Sequence, residues 1–122
     1  MNSITINVLL NANLIFLSQK TYKRIAEEKY SLSKIKNKED YLSRYNTVIR
    51  HLFLSFLHQG YDIDNKRVHT ALQDFCVYEL LIPKWKIKQI VNARHGLKYY
   101  KREPEKSIIQ NLNDLIGLIN SK

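Results

Sequence analysis

The sequence contains few of the residues that cross-link a small protein or interrupt its secondary structure. A single cysteine, Cys76, excludes an internal disulfide and a cysteine-based zinc cluster, and it favours a reducing, cytoplasmic location. Three glycines and two prolines leave little material for the tight turns of β-hairpins. The HExxH, Walker and GxSxG motifs are missing as well. We therefore expect residues 1–122 to form a single domain that holds no metal and no cofactor.

A long hydrophobic run is also missing. Asn7, Asn11 and Asn13 interrupt the apolar residues near the N-terminus, and the run is far shorter than the ~20 apolar residues of a membrane span. Because no basic cluster precedes this segment and no small-residue cleavage site follows it, we do not expect a secretory signal. Apolar residues at three- and four-residue steps instead predict a first core helix over about residues 5–30, with no membrane association.

Hydrophobic periodicity predicts an all-α protein. The most regular stripe, which lies near the C-terminus, consists of Ile108, Leu112, Leu115, Ile116 and Ile119. Further helices are predicted over residues 39–60, from Thr70 to Pro83, from Pro83 towards Pro104, and from Pro104 to Asn120. Because the links between these segments are short, we expect a four- to five-helix antiparallel bundle.

Local residue types predict where these helices begin and end. Gly60 suits the left-handed position that closes a helix, because glycine has no steric penalty there. Thr70 and Gln73 match a capping box at the start of the following helix. Between the helices, residues 31–38 are predicted to form a basic loop and residues 61–67 a polar connection.

Negative charge is scarce in this chain. Eleven acidic residues stand against twenty basic ones, which gives a net charge of +9 and a pI near 9.7. Long-range attraction then favours an anionic partner, such as nucleic acid, anionic lipid or an acidic protein. A solvated basic surface without such a partner is the alternative.

One segment concentrates the positive charge and interleaves it with aromatic residues. Its basic members are Lys84, Lys86, Lys88, Arg94, Lys98, Lys101, Arg102 and Lys106, and its aromatic members are Trp85, Tyr99 and Tyr100. Because basic side chains neutralise phosphates and aromatic rings stack on unpaired bases, the pattern predicts a nucleic-acid interface. The alternative is a solvated helix face whose aromatic rings turn inward to the core.

Arg94 and the histidines are the remaining candidates for chemistry. Arg94 shares a predicted helix face with apolar residues, so its guanidinium should lie at the edge of a buried stripe. An arginine there is either paired with an acid, Asp74 or Glu79, or held for a phosphate. His51 and His58 lie seven residues apart, two helical turns, and this spacing predicts no metal site.

The order of several segments resembles that of a known family. The segments are Arg44 to Leu52 in a long predicted helix, a break at Gly60 to Asp62, His69 to Leu72, and Ile90 to Tyr100 before a final amphipathic helix. Over roughly residues 39–120 this order is similar to the HEPN (higher eukaryotes and prokaryotes nucleotide-binding) superfamily. The resemblance implies a HEPN-like helical bundle that forms a homodimer. It also implies binding of RNA, a nucleotide, or the partner protein of a phage-defence or toxin–antitoxin pair.

The resemblance also assigns a role to Arg94. In the ribonuclease members of the family, an arginine holds the scissile phosphate, and a histidine a few residues later acts as acid and base. At that distance from Arg94 this chain has Tyr99, followed by Tyr100. Phenols ionise near pH 10 and are poor acid–base groups at neutral pH. The resemblance therefore predicts binding without catalysis, and the residues predicted to bind nucleic acid are Arg94, Lys98, Tyr99, Tyr100, Lys101 and Arg102.

Two alternatives stay open. The first is an active metal-independent endoribonuclease, whose candidate catalytic residues are Arg94, His95 and Tyr99. Because His95 adjoins Arg94, it points about 100° around the helix from it, but across a dimer interface His95 or His69 would be within reach of Arg94. Arg44 and His51, with six residues between them, are secondary candidates for such a pair. The second alternative is an interaction protein whose basic face binds an acidic protein surface.

Overall fold

The computed structural model describes residues 1–36 and 39–120, and within them the chain forms six α-helices and two short strands. In chain order these are α1 (Ser3–Asn11), β1 (Ile15–Leu17), α2 (Thr21–Ser33), α3 (Tyr41–Leu57), β2 (Tyr61–Ile63), α4 (Val68–Tyr78), α5 (Lys84–Tyr100) and α6 (Lys106–Asn120). The all-α class expected from the sequence is confirmed, with six helices rather than four to five.

Helix α3 is the centre of the molecule and contacts α2, α4, α5, α6 and β2. Eight of its 17 residues are buried, so the helix predicted over residues 39–60 is enclosed on more than one side. Asp40 caps its N-terminus by accepting a hydrogen bond from the Ser43 amide. At the same end, the Tyr41 hydroxyl donates to the Ile90 carbonyl oxygen at 2.9 Å and thereby fixes α3 to α5.

The N-terminal third differs from its prediction. A single helix over residues 5–30 is wrong, because α1 ends at Asn11 and the chain turns at Asn13, which has a left-handed φ of 57°. Asparagine tolerates this conformation better than most residues, so the turn costs little. Leu14 then becomes fully buried, and β1 pairs antiparallel with β2 with Ile15 opposite Ile63.

The connection after α3 is more structured than predicted. Gly60 has the expected left-handed conformation, with φ of 89°. The polar connection predicted for residues 61–67 is instead strand β2, with Asp62 and Ile63 buried, followed by one 3₁₀ turn at Asn65–Arg67. A three-residue strand is too short to show the alternating pattern that identifies strands in a sequence.

Two further local predictions need correction. The capping box at Thr70 is wrong, because α4 already begins at Val68, directly after the 3₁₀ turn. The side chain that caps this region is Asp64, which accepts a hydrogen bond from the Lys66 amide at 3.1 Å. The predicted basic loop over residues 31–38 is shorter, since α2 extends to Ser33. Its residues 37 and 38 lie outside the described part of the chain.

The C-terminal stripe packs as predicted. Leu112, Leu115 and Ile119 of α6 are buried, and Ile108 and Ile116 pack against the core beside them. Helix α6 contacts both α3 and α5 and closes the core on that side. Among the helices of residues 1–36 and 39–120, none is long and apolar enough to cross a membrane.

Charged side chains attach helix α2 to the rest of the protein, beside Ile25, which packs against the core. The one residue that α2 buries is Glu28, at 3% exposure. The Glu28 carboxylate accepts from Arg24 at 2.9 Å and from Arg50 of α3 at 2.7 Å, and Arg24 also donates to Asp62 of β2 at 2.7 Å. These bonds, with Asp62 the strongest contributor, raise the pKa of Arg24 above its usual range. Both guanidinium groups lie over the ring of Phe53, at 5.6 and 5.1 Å.

Because two arginines share the buried carboxylate of Glu28, we expect Glu28→Gln to lower the free energy of unfolding by about 2–3 kcal/mol. This is less than the ~3–5 kcal/mol lost from a fully buried ion pair, because water still reaches the side chains of Arg24 and Arg50, which are 25% and 28% exposed. The neighbouring Glu27→Gln is the matched control, because Glu27 contacts the same Arg24 with a side chain that is 48% exposed. Glu27→Gln should lower the free energy of unfolding by less than about 1 kcal/mol. Urea unfolding followed by circular dichroism measures both, and equal losses would contradict the structural role assigned to Glu28.

Candidate nucleic-acid interface

Helix α5 concentrates positive charge. Its 17 residues include five basic side chains and no acidic one. No salt bridge among residues 1–36 and 39–120 involves α5. Because 3.6 residues make one turn, Lys84, Lys88, His95 and Tyr99 fall within about 60° of one another around the axis. All four are exposed and form a continuous stripe along the helix.

The aromatic residues of this region face solvent. Trp85, Tyr99 and Tyr100 are 62%, 58% and 68% exposed, so the alternative in which they turn inward to the core is wrong. His95 lies against both tyrosines, with ring centroids 4.7 Å from Tyr99 and 5.9 Å from Tyr100. The Lys98 ammonium is 5.5 Å from the Tyr99 ring centroid. Three of the residues predicted to bind nucleic acid thus lie together at the end of α5.

Arg94 is held by an aromatic ring rather than by an acid. Its guanidinium carbon lies 5.6 Å from the ring centroid of Tyr45, a cation–π arrangement. The alternative in which Arg94 pairs with Asp74 or Glu79 is not found among the salt bridges of the described residues. Glu79 instead accepts hydrogen bonds from the amide of Asn2 and the hydroxyl of Thr5, which join α4 to α1. Contact with a ring orients Arg94 and leaves its positive charge unneutralised.

His69 joins the same group within one chain. Its Nδ1 is 2.7 Å from the hydroxyl oxygen of Tyr45, and the two rings are 5.6 Å apart. Burial lowers the pKa of His69, and the charges of Arg94 and Lys98 lower it further. Burial also raises the pKa of Tyr45 above its usual range, against the opposing effect of Arg94. Tyr45 therefore lies between His69 and Arg94 of the same chain. From the sequence, an approach of His69 to Arg94 is expected only across a dimer interface.

One clue to this group was present in the sequence. Tyr45 is predicted to lie on the buried stripe of its helix, and a buried tyrosine hydroxyl requires a hydrogen-bond partner. His69 is 24 residues away in the sequence, so helical spacing could not identify it as that partner.

The turn after α5 positions the last two basic candidates. Lys101 has a left-handed φ of 52°, and its amide donates to the Leu97 carbonyl oxygen at 3.2 Å. The Arg102 amide donates to the Gly96 carbonyl oxygen at 3.1 Å, so the chain folds back on the helix end. Both side chains are exposed, where their charge also complements the negative end of the helix dipole.

The secondary candidates, Arg44 and His51, lie apart from the group around Tyr45. Arg44 and His51 line a common cleft next to α6, away from the Tyr45 ring that Arg94 contacts. In the part of the chain that the structure describes, no group of three or more His, Cys, Asp or Glu side chains is arranged to hold a metal ion.

The lowered pKa values of His69 and His51 predict how stability depends on pH. The folded protein binds fewer protons than the unfolded chain once the pH falls below about 6.5, the ordinary histidine value. The contribution of these two histidines to the free energy of unfolding is therefore fully present above that pH. It is lost as the pH falls towards their pKa values in the folded protein. We expect the urea midpoint to decrease between pH 7.5 and 5.5.

The decrease should be smaller in His69→Gln than in the unmodified protein. Asp74, whose pKa is raised by burial, acts in the opposite direction but is common to all variants. A His69→Gln variant with the same pH dependence as the unmodified protein would contradict the burial of a neutral His69.

Comparison with known proteins finds no match. No protein-family model, no curated protein and no solved structure matches this chain. The resemblance to the HEPN superfamily therefore stays a prediction from the sequence, and the function has to be argued from the side chains of α5, Tyr45 and His69.

Proposed function

We propose that the protein binds single-stranded RNA along α5 and the turn that follows it, and that it does not cleave this RNA. The observation that carries the proposal is a helix of 17 residues with five basic side chains, no acidic ones, and exposed aromatic rings near both ends. Trp85 and Tyr99 are 14 residues apart, or about 21 Å along the axis at 1.5 Å per residue. The stripe of Lys84, Lys88, His95 and Tyr99 runs over the same length of the helix.

The exposed lysines of α5 supply contacts to phosphate. Lys84, Lys88 and Lys98 are exposed ammonium groups without salt bridges among the described residues, so they offer electrostatic contacts that do not depend on base sequence. Arg94 differs from them, because the Tyr45 ring fixes its orientation. A guanidinium oriented in this way suits bidentate contact with one phosphate.

The exposed rings favour single strands over the other anionic partners. Unpaired bases stack on aromatic side chains, whereas the faces of bases in a duplex are already stacked on one another. An acidic protein surface would be attracted by the charge of α5 but would not require Trp85, Tyr99 and Tyr100 to face solvent. The resemblance to the HEPN superfamily supports RNA over DNA.

Homodimer formation and a role beside a partner protein in phage defence or a toxin–antitoxin pair stay predictions from that resemblance. The cytoplasmic location stays a prediction from the single cysteine. Light scattering on the purified protein, alone and with RNA, measures the oligomeric state directly.

If phosphate contacts supply the affinity, the logarithm of the binding constant should fall linearly with the logarithm of salt concentration, by about 0.7 per phosphate contacted. We expect Lys98→Gln, Lys101→Gln and Arg102→Gln combined to weaken binding to an unstructured RNA and to reduce this slope by up to about 2. Fluorescence anisotropy measures both quantities, with an RNA hairpin for comparison.

The matched control removes the same charge elsewhere: Lys20→Gln, Lys23→Gln and Lys29→Gln combined, since all three are exposed in or next to α2. Trp85→Ala should cost about 1–3 kcal/mol of binding free energy through lost stacking, while Tyr22→Ala, at a tyrosine that is 91% exposed on α2, should cost little. Equal losses in the α5 and α2 variants would contradict the assigned surface. No RNA binding at low salt would favour the acidic-protein alternative.

A second candidate function, metal-independent RNA cleavage, is favoured by the position of His69. Burial, and then the charges of Arg94 and Lys98, lower the pKa of this histidine, so the imidazole is neutral at pH 7, the form that a general base requires. Against this function, the Nδ1 of His69 is engaged with Tyr45, and exposed Tyr99 lies where the family places its histidine.

We expect incubation with RNA in the presence of EDTA to leave the strand intact while binding is observed. A missing acid–base group lowers the rate by a factor of ~10²–10⁴, which brings cleavage close to background. Cleavage that disappears in both Arg94→Ala and His69→Ala would establish the ribonuclease instead. Cleavage that depends on His95 would implicate the residue next to Arg94, and cleavage lost in Arg44→Ala and His51→Ala would place the site on α3.

A further inference from the structure

A cleft of about 390 Å³ lies between the end of α2, the first half of α3 and α6. Its volume is within the range of ~300–1,000 Å³ typical of small-molecule sites. Three half-buried aliphatic side chains, Leu32, Ile35 and Ile116, form apolar walls. Arg44 and His51 are the ionisable residues among those that line it. The cleft therefore combines an apolar body with a small number of polar groups, as ligand sites do.

Two of the contacts that Arg44 makes orient its guanidinium beside this cleft. One terminal nitrogen donates to the side-chain oxygen of Asn113 on α6 at 3.0 Å, and the other donates to the Glu39 carboxylate at 3.0 Å. The Arg44 side chain is 20% exposed, whereas that of Glu39 is 91% exposed. Ion pairs with so exposed a carboxylate contribute little free energy. A carboxylate from solution is therefore able to compete with Glu39 for the guanidinium.

Among the described residues that line the cleft, none adds a second positive charge. Burial lowers the pKa of His51, so its imidazole is neutral at pH 7 and offers hydrogen bonds only. The Thr47 hydroxyl already donates to the Ser43 carbonyl oxygen at 2.9 Å, which leaves its oxygen as an acceptor. A single guanidinium beside aliphatic walls matches one negative charge on an apolar body better than it matches a phosphate dianion.

The geometry points to a binding site for a small carboxylate with an apolar body, in which Arg44 binds the carboxylate and Leu32, Ile35 and Ile116 contact the body. Glu39 acts as an internal competitor for Arg44. This site uses a different face of α3 from the one that holds Arg94, and it does not depend on RNA binding.

Titrations of ¹⁵N-labelled protein followed by NMR test the site with three probes: 4-phenylbutyrate, the uncharged 4-phenylbutanol, and phenyl phosphate. We expect 4-phenylbutyrate to bind roughly tenfold or more tightly than the alcohol, because a charge-assisted hydrogen bond is lost in the alcohol. The shifted amides should lie around residues 32, 44, 51 and 116. Phenyl phosphate should bind more weakly than 4-phenylbutyrate.

Two substitutions should act in opposite directions. Arg44→Gln should remove the preference for the acid over the alcohol, and Glu39→Gln should increase the affinity for the acid about two- to fivefold. Because Glu39 is exposed, the second variant does not threaten the fold. Arg94→Gln is the control: it should weaken RNA binding and leave 4-phenylbutyrate binding unchanged, so the two proposals fail separately. Equal affinities for acid and alcohol, no effect of Glu39→Gln, tighter phenyl phosphate binding, or no binding of any probe would overturn the site.

Discussion

The shortage of acidic residues governs how this molecule is arranged. Eleven acidic side chains cannot pair with twenty basic ones, so their positions decide where positive charge remains. The buried pairs around Glu28 and Asp62 neutralise Arg24 and Arg50 between α2, α3 and β2. Others cap helices or turns, as Asp40 does for α3. Helix α5 has no acidic residue, and its charge faces water in an arrangement that attracts anions.

Tyr45 connects this charged surface to the core. The residue is fully buried on α3, yet its hydroxyl lies 2.7 Å from His69 and its ring lies under Arg94. Burial requires a partner for the hydroxyl, and the ring face attracts a cation, so one side chain orients groups from both α4 and α5. The orientation of Arg94 therefore depends on packing within the core rather than on an ion pair that salt would screen.

The sequence predicts structure well for long helices whose apolar residues repeat at one helical period. The stripes of α3 and α6 are confirmed because burial at three- and four-residue steps leaves little freedom over four turns. The prediction from sequence failed at Asn13, where one left-handed residue ends α1 and directs the chain into a three-residue strand. The basic and aromatic character of α5 could be predicted from composition. The approach of His69 to Arg94 could not, because it depends on how α4 and α5 pack around Tyr45.

Adjacent residues of α3 face the two proposed sites. Arg44 and Tyr45 differ by about 100° around the helix axis, so Arg44 lines the cleft beside α6 while Tyr45 contacts Arg94 and His69. A rigid, buried helix holds both side chains at fixed positions, because Tyr41 is bonded to α5 and Arg50 to Glu28 of α2. The two sites share a support but no ligand-contacting residue. Coupling between them would require α3 itself to shift against the core, which its buried side chains oppose.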